Sequence, residues 1–284
     1  MFEERSLPED LAAVREAHAP DALILDCEAD FESLSPERAE DLGLLVDALD
    51  PLAYPAEWFP EDASELLRRF ASTDFVVGMP GDGSVAWTRQ TDPPVAFVKA
   101  RVQGSPEEFV DFLIAEALVQ IGTGLPEHFL GFFEERYRNL DAALPLDSGS
   151  VYQVAVALYD AYLGLHTRET FADWADDRPD GDDFPDTDDR PDVDDGPSTD
   201  DRLDAHPRLF AAWQDAGERV EPRLEGLPTA MARDETDFAD AAEFACAAVK
   251  HGLELPAPFA ALDTQAYRDH GADYAVTWAE KTFE

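Results

Sequence analysis

The stretch DFVVGMPGDGSVAWTRQTDPPVAFVKARV, residues 74–102, decides the fold that we expect for this chain. It holds three β-rich runs, which the turn signals PGDG and TDPP separate. This pattern predicts a three-stranded antiparallel β-meander. No other region of the sequence is clearly β, and so small a sheet needs a cover from other elements to be stable.

The segment SPEEFVDFLIAEALVQIG, residues 105–122, can supply that cover. Its apolar residues recur at helical spacing and surround the helix on nearly all sides, which indicates burial against two layers. Further amphipathic segments follow up to the C-terminal residues 264–283. The sequence therefore predicts an α+β fold, mainly α-helical, with one three-stranded antiparallel meander at about residues 74–102 covered by helices.

Two segments before the meander are also informative. The short apolar run LILDC, residues 23–27, is compatible with either a strand or a helix. The segment SPERAEDLGLLVDAL, residues 35–49, opens with Ser35 as a helix cap followed by a proline. It predicts a helix with an apolar stripe of Leu42, Leu45, Val46 and Leu49.

An acidic tract interrupts the helical half at residues 176–202. It repeats the pattern Pro-x-x-Asp-Asp in hexads that begin at Pro179, Pro185, Pro191 and Pro197. Proline disrupts helices and strands, and like charges extend a chain, so we expect a disordered spacer. A cation-binding array, loose ion condensation and a docking tail are the alternatives, but the tract lacks the closing Glu of a calcium loop.

The tract need not separate two domains, because closing a loop of this length costs only a few kcal/mol of chain entropy. We expect a helical and meander core at residues 1–175 and a disordered Asp/Pro-rich loop at residues 176–202. A helical segment at residues 203–284 then packs back on the core to give one domain overall.

Charge dominates the composition. The chain has 63 acidic and 21 basic residues, a net charge of −42, and lysine only at positions 99, 250 and 281. Such repulsion is tolerable when salt shortens the Debye length to about 3 Å at 1 M. We therefore interpret the acidity as an adaptation to a saline cytosol. The charge also counts against nucleic acid, which we do not expect as a partner because the sequence offers no basic stripe; a nucleic-acid regulator is a third hypothesis.

Other features predict a soluble, cytoplasmic protein. The N-terminus lacks an apolar signal region, and no apolar run is long enough to span a bilayer, so no membrane partner is expected. Cys27 and Cys246 lie in apolar patterns and are typical of core packing, although a disulfide between them is not excluded.

Candidate sites are few. The six histidines form no pair with metal-ligand spacing, so we expect no metal, no cofactor and no catalytic motif. Tyr152, Tyr159 and Tyr162 share helical spacing, which is more typical of a core than of a ligand box.

The densest basic group is Arg89, Lys99 and Arg101, and residues 99 and 101 share one face of a strand. With Glu116 and His128, these bases are candidates for an anion-binding pocket between the meander and the following helix. The alternative is that they offset the protein's own acids at the surface.

The segments VGMPGDGSVAWTRQT, FVDFLIAEALVQIG, VYQVAVALYDAYLGLHTRETFADW and DAAEFACAAVKHG carry a resemblance. In them, and in its composition, the chain resembles an uncharacterised protein family of halophilic archaea. The resemblance spans most of the chain and implies a cytosolic, high-salt setting. It implies no activity, cofactor or site residue.

The leading hypothesis for function is a non-enzymatic scaffold or interaction protein, with another protein or a second copy of the chain as partner. The alternative is a small-molecule binder or enzyme that uses the pocket described above. A binder should gather at least two of the candidate bases around one partly apolar pocket, whereas a scaffold should scatter them and expose an apolar patch.

Overall fold

The elements follow from the computed structural model, which describes residues 2–31, 33–70, 72, 75–77, 83–175 and 205–284. The helices are α1 (Glu9–His18), α2 (Pro36–Leu42), α3 (Glu65–Arg69), α4 (Glu107–Gly122), α5 (Phe129–Phe133), α6 (Tyr137–Ala143), α7 (Ser148–Asp173), α8 (Pro207–Ala232), α9 (Phe238–Ala247) and α10 (Gln265–Phe283). The strands are β1 (Phe2–Glu4), β2 (Leu23–Cys27), β3 (Ser33–Leu34), β4 (Ala48–Leu49), β5 (Phe75–Val76), β6 (Val85–Thr88), β7 (Thr91–Asp92) and β8 (Val95–Val98). The prediction of a mainly helical protein with a small sheet is confirmed.

The predicted meander is wrong. The main sheet has four strands in the order β1-β2-β8-β6, and β2 runs parallel to β8 while the other two pairings are antiparallel. Only the last two of the three predicted runs pair, with Val85 opposite Val98. The first run, β5, pairs with β3 in a separate two-stranded sheet. Segment 23–27, which the sequence left open as strand or helix, is a strand, and it pairs with β8 on the side opposite β6.

Strand β8 is central because both of its faces are covered. Ala96 and Val98 pack with Trp87 in one core, under α1 and α4. Val95 and Phe97 pack in a second core on the opposite face. All four residues of β8 are buried, as expected for a strand with a layer on each side.

Helix α4 lies between the sheet and the helical part of the molecule. It packs on α1, β6 and β8, and also contacts α7 and α8. Its buried residues surround the helix, from Val110 to Ile121, so the predicted burial on two sides is confirmed. A third core surrounds α7 with α5, α6, α9 and α10. Among the described helices, none has the length and apolar character needed to cross a bilayer.

The acidic tract, residues 176–202, lies outside the described residues, as do residues 80–82 of the predicted turn at residues 80–83. The described residues just before the tract contact those just after it. The backbone N–H of His206 donates to the carbonyl oxygen of Trp174 over 3.1 Å. Arg208 at the start of α8 then binds Asp10 of α1 and the buried Asp111 of α4, at 2.8 and 2.6 Å. Helix α8 therefore packs on the first half of the chain.

Candidate functional site

A cavity of about 200 Å³ lies where β6, α4, α7 and the end of α9 meet. Apolar side chains form part of its wall. They are Val85, Trp87, Leu113, Ala117, Leu163 and Ala247. The cavity exists because α4 uses one side to cover the sheet and turns another side toward α7.

A chain of hydrogen bonds forms the polar side of the cavity. The indole Nε1 of Trp87 donates to Oε1 of Gln120 over 2.7 Å, and Nε2 of Gln120 contacts Oε1 of Glu116 at 3.4 Å. Glu116 and Gln120 stand four residues apart on α4 and so share one face of the helix. The ammonium of Lys250 donates to the same Oε1 of Glu116 over 2.6 Å.

Two neighbours fix the backbone of Lys250, which lies in the 3₁₀ turn Val249–His251 after α9. The indole of Trp213 on α8 donates to its carbonyl oxygen over 3.0 Å. On the other side α7 approaches closely at Gly164, where a Cβ atom would lie 2.8 Å from the backbone nitrogen of Lys250. Helices α7 and α8 thus hold the backbone segment from which the Lys250 side chain extends.

The charges on the cavity wall are mostly negative. Three carboxylates, those of Glu116, Glu127 and Asp160, face one ammonium, that of Lys250. Glu116 is only 8% exposed, so its charge is poorly screened by water. The cavity therefore favours a ligand that brings positive charge. Within the described residues, no three His, Cys, Asp or Glu side chains are grouped so that they could hold a metal ion.

Glu127 belongs to a buried polar cluster beside the cavity. Its Oε1 accepts from Nε2 of Gln90 over 2.7 Å, and its Oε2 accepts from the backbone N–H of Arg89 over 2.8 Å. Oε1 also lies 3.4 Å from Nε2 of His128, whose Nδ1 is 3.1 Å from the hydroxyl of Tyr54. Burial next to Glu127 raises the pKa of the Tyr54 hydroxyl, which therefore stays protonated. With both Glu127 oxygens engaged, this cluster stabilises the fold rather than offering a free group.

Of the five residues singled out from the sequence, Glu116 lines the cavity. Arg89 lies nearby: its guanidinium is 5.4 Å from the ring centroid of Trp87 and donates to the carbonyl oxygen of Leu125. His128 is buried one layer behind, in the Glu127 cluster. The structure thus brings three of the five into one neighbourhood, but only one of them to the cavity.

Lys99 and Arg101 are placed elsewhere. Lys99 directly follows β8 and is 1% exposed, and its backbone N–H donates to the carbonyl oxygen of Ser84. Arg101 lies in a short 3₁₀ turn and binds Asp30 at 2.8 Å on the surface. The two side chains do not share a strand face, because the strand ends at Val98.

Sequence reasoning missed Lys250, Gln120 and Trp87. No local motif marks Lys250, since its partner Glu116 is 134 residues away in the chain. The scarcity of lysine was the available signal, because one of only three lysines lies at this site. Of the three tyrosines on α7, Tyr159 borders the cavity and donates through its hydroxyl to the carbonyl oxygen of Pro126.

Comparison with protein-family models gives a match. The model of the family of unknown function DUF7089 matches residues 1–192 and 194–284. No curated protein and no solved structure matches the chain. Since the family model covers nearly the whole chain, the protein belongs to the family of unknown function DUF7089.

Proposed function

We propose that the protein binds a small molecule in the cavity between β6, α4 and α7. The observation that carries this proposal is the ion pair between Glu116 and Lys250, which stands on the cavity wall at 2.6 Å. Taking such charges out of water is costly, and a packed apolar core at this place would avoid that cost. A site that must recognise a charged ligand is a physical reason to keep them there.

The size and lining of the cavity set the kind of ligand. A volume of about 200 Å³ is below the roughly 300–1,000 Å³ of pockets for drug-sized molecules, so the ligand is small. A partly apolar wall with a few convergent polar groups is typical of metabolite sites. The negative lining speaks against the anion-binding pocket that was the alternative from the sequence.

A screen with a blocked variant tests this proposal. A library of small polar metabolites is screened by ligand-observed NMR in about 2 M KCl, where the Debye length is under about 3 Å. Ala247 is exposed at the rim of the cavity, so Ala247→Trp should close it without disturbing the core. Ala211 is exposed on α8 away from the cavity, and Ala211→Trp is the matched control.

We expect hits that bind the wild type and Ala211→Trp but not Ala247→Trp. The proposal would be overturned by a library that gives no hit, or by hits that bind Ala247→Trp as tightly as they bind the wild type.

An interaction protein is the second candidate, and one observation favours it. Leu44 and Leu45, next to each other after α2, are 85% and 44% exposed. Adjacent exposed leucines suit a contact with a second copy of the chain. Sedimentation velocity of the wild type and of the double variant Leu44→Ser, Leu45→Ser tests this: the wild type should self-associate and the variant should not. A wild type that stays monomeric at all concentrations contradicts it.

We also infer a high-salt setting, because the chain has a net charge of −42. A second inference is that residues 1–175 and 203–284 form a single structural unit. The contacts of Arg208 with Asp10 and Asp111 support the second inference.

A further inference from the structure

The hydrogen bonds of Glu116 are distributed unevenly between its two oxygens. Oε1 accepts from Lys250 at 2.6 Å and from Gln120 at 3.4 Å. No described residue donates to Oε2, although the side chain is only 10% exposed. Because Glu116 lines the cavity, a carboxylate oxygen of this enclosed side chain that has no described donor is an acceptor for a ligand.

Lys250 offers the complementary capacity. Its ammonium carries three N–H donors, and in the described residues one of them is used, on Glu116. The side chain is 27% exposed, so the remaining donors can reach a molecule in the cavity. An acceptor on the ligand, and best a carboxylate, would complete this group.

The other charged groups on the cavity wall decide which charges the ligand can carry. Asp160 on α7 adds a second carboxylate to the accessible wall, opposite α4. A ligand that carried only negative charge would meet Lys250 but be repelled by Glu116 and Asp160. A ligand that carried only positive charge would pair with Glu116 but leave the donors of Lys250 without an acceptor. A molecule with both charges satisfies both Glu116 and Lys250.

The distance between the two groups sets the separation of those charges. Nζ of Lys250 and the carboxylate of Glu116 are in direct contact, so the ligand's amine and carboxylate must also be close. Four alternating charges then form a closed ring in which each cation lies between two anions. We propose that the ligand is a small amino acid zwitterion, with a protonated amine on Glu116 Oε2 and a carboxylate on Lys250 Nζ.

This inference rests on the proposed function and names the ligand class of that same cavity. It also assigns roles. Glu116 selects the amine, Lys250 selects the carboxylate, and the apolar wall at Leu113 and Leu163 limits the size of the ligand's carbon chain. Trp87 and Gln120 orient Glu116 through their hydrogen bonds and are positioning residues.

The test uses probes that carry both charges or one. L-Alanine, β-alanine and 4-aminobutyrate are the zwitterions, and propionate and propylamine are the single-charge controls. Affinities for the full-length protein are measured by NMR titration in about 2 M KCl, where bulk charge interactions are screened and contacts inside the cavity are screened less. We expect at least one zwitterion to bind at least tenfold more tightly than either control.

Two variants separate the two ends of the ligand. Glu116→Gln keeps the shape of the side chain and removes its charge, and it should weaken zwitterion binding at least tenfold. Lys250→Met removes the ammonium, and it should erase the advantage of a zwitterion over propylamine. Because Lys250→Met leaves Glu116 without its partner and can impair folding, the double variant Glu116→Gln, Lys250→Met is measured too and should bind neither class.

The outcomes distinguish this inference from the proposed function. If propylamine or propionate binds as tightly as every zwitterion, the ligand class is wrong while the cavity remains a binding site. The same holds if only uncharged compounds from the library bind and Ala247→Trp blocks them. If no compound distinguishes the wild type from Ala247→Trp, both proposals fail.

Discussion

The indole Nε1 of Trp213 lies 3.0 Å from the carbonyl oxygen of Lys250 and donates a hydrogen bond to it. Trp213 belongs to α8, which begins shortly after the acidic tract, whereas Lys250 lines the cavity between β6, α4, α7 and the end of α9. The helix that follows the tract therefore helps to place the cation of the candidate site. This relationship makes the position of Lys250 dependent on the packing of α8.

The first prediction concerns that hydrogen bond. Trp213→Phe keeps an aromatic ring against His251 and removes the donor, so it should cost about 1 kcal/mol of unfolding free energy. It should also weaken ligand binding several-fold, because the backbone of Lys250 loses its anchor. Urea denaturation and NMR titration measure the two effects.

Trp278 provides the matched control, since its indole donates to the carbonyl oxygen of Pro258 over 3.0 Å. Trp278→Phe should cost a similar free energy of unfolding and leave ligand affinity unchanged. Equal losses of affinity in both variants would show that Trp213 acts only through global stability.

The second prediction concerns the close approach at Gly164. Replacing a helical glycine with alanine usually stabilises a helix by about 1 kcal/mol. At position 164 the new Cβ would lie 2.8 Å from the backbone nitrogen of Lys250, so we expect a loss of about 1–3 kcal/mol from overpacking. Gly226 on α8 has no atom within 4 Å of its Cβ position, and Gly226→Ala should stabilise. A Gly164→Ala protein as stable as Gly226→Ala would contradict the packing described for Lys250.

The third prediction concerns His251. Burial against Trp213, and then the charge of Lys250, lower the pKa of His251 from 6.5 to about 4. Since the unfolded chain takes up the proton first as the pH falls, His251 contributes stability that is complete above pH 6.5 and is lost progressively toward pH 4. The full loss should amount to about 3 kcal/mol, from a pKa change of roughly 2.5 units at about 1.4 kcal/mol per unit.

His251→Gln removes this contribution. The carboxyl groups of Glu218 and Glu221 border the same recess as His251, so the wild type and the variant are compared at each pH. The free energy of unfolding, measured with urea at pH 7, 6 and 5, should fall less steeply in the variant. An NMR titration that places the pKa of His251 near 6.5 would refute the argument.

The fourth prediction concerns salt. With a net charge of −42, the folded chain repels itself in dilute buffer. Raising KCl from about 0.1 to 2 M should raise the melting temperature by about 10 °C or more, with most of the gain below about 1 M, where the Debye length is still shrinking quickly. Sucrose, which favours burial without screening charge, should not reproduce the steep early rise. A melting temperature that is independent of KCl would count against an adaptation to brine.

Local signals in the sequence predicted local structure well. Ser35 caps α2 as expected, with Oγ accepting from the backbone N–H of Arg38 at 3.4 Å. The helix nevertheless ends at Leu42. Beyond it, the backbone N–H groups of Asp47 and Asp50 donate to carbonyl oxygens of residues 92 and 90, so strand pairing replaces the helix and Leu44 is exposed. The helical spacing of leucines could not reveal that competition.

Long-range pairing accounts for the other errors. The run at Phe75 has the composition of a meander strand, but its partner is Leu34, and β2 takes the place beside β8. A parallel pairing between strands that lie some 70 residues apart in the chain leaves no signal in the sequence of either strand. The site follows the same rule: Glu116 was found because it lies on the helix after the sheet, whereas Lys250 became its partner only through the packing of α7, α8 and α9.

The Trp87 indole gives the most direct test of a ligand in this cavity, because its N–H donates to Gln120 on the cavity wall. In a ¹H–¹⁵N spectrum, with the resonance assigned through Trp87→Phe, addition of the best-binding amino acid should shift the Trp87 indole signal in a saturable way. The indole of Trp278, bonded to Pro258 and away from the cavity, should not shift. An unmoved Trp87 signal at saturating ligand, or equal shifts of both indoles, would contradict the assignment of this cavity as the binding site.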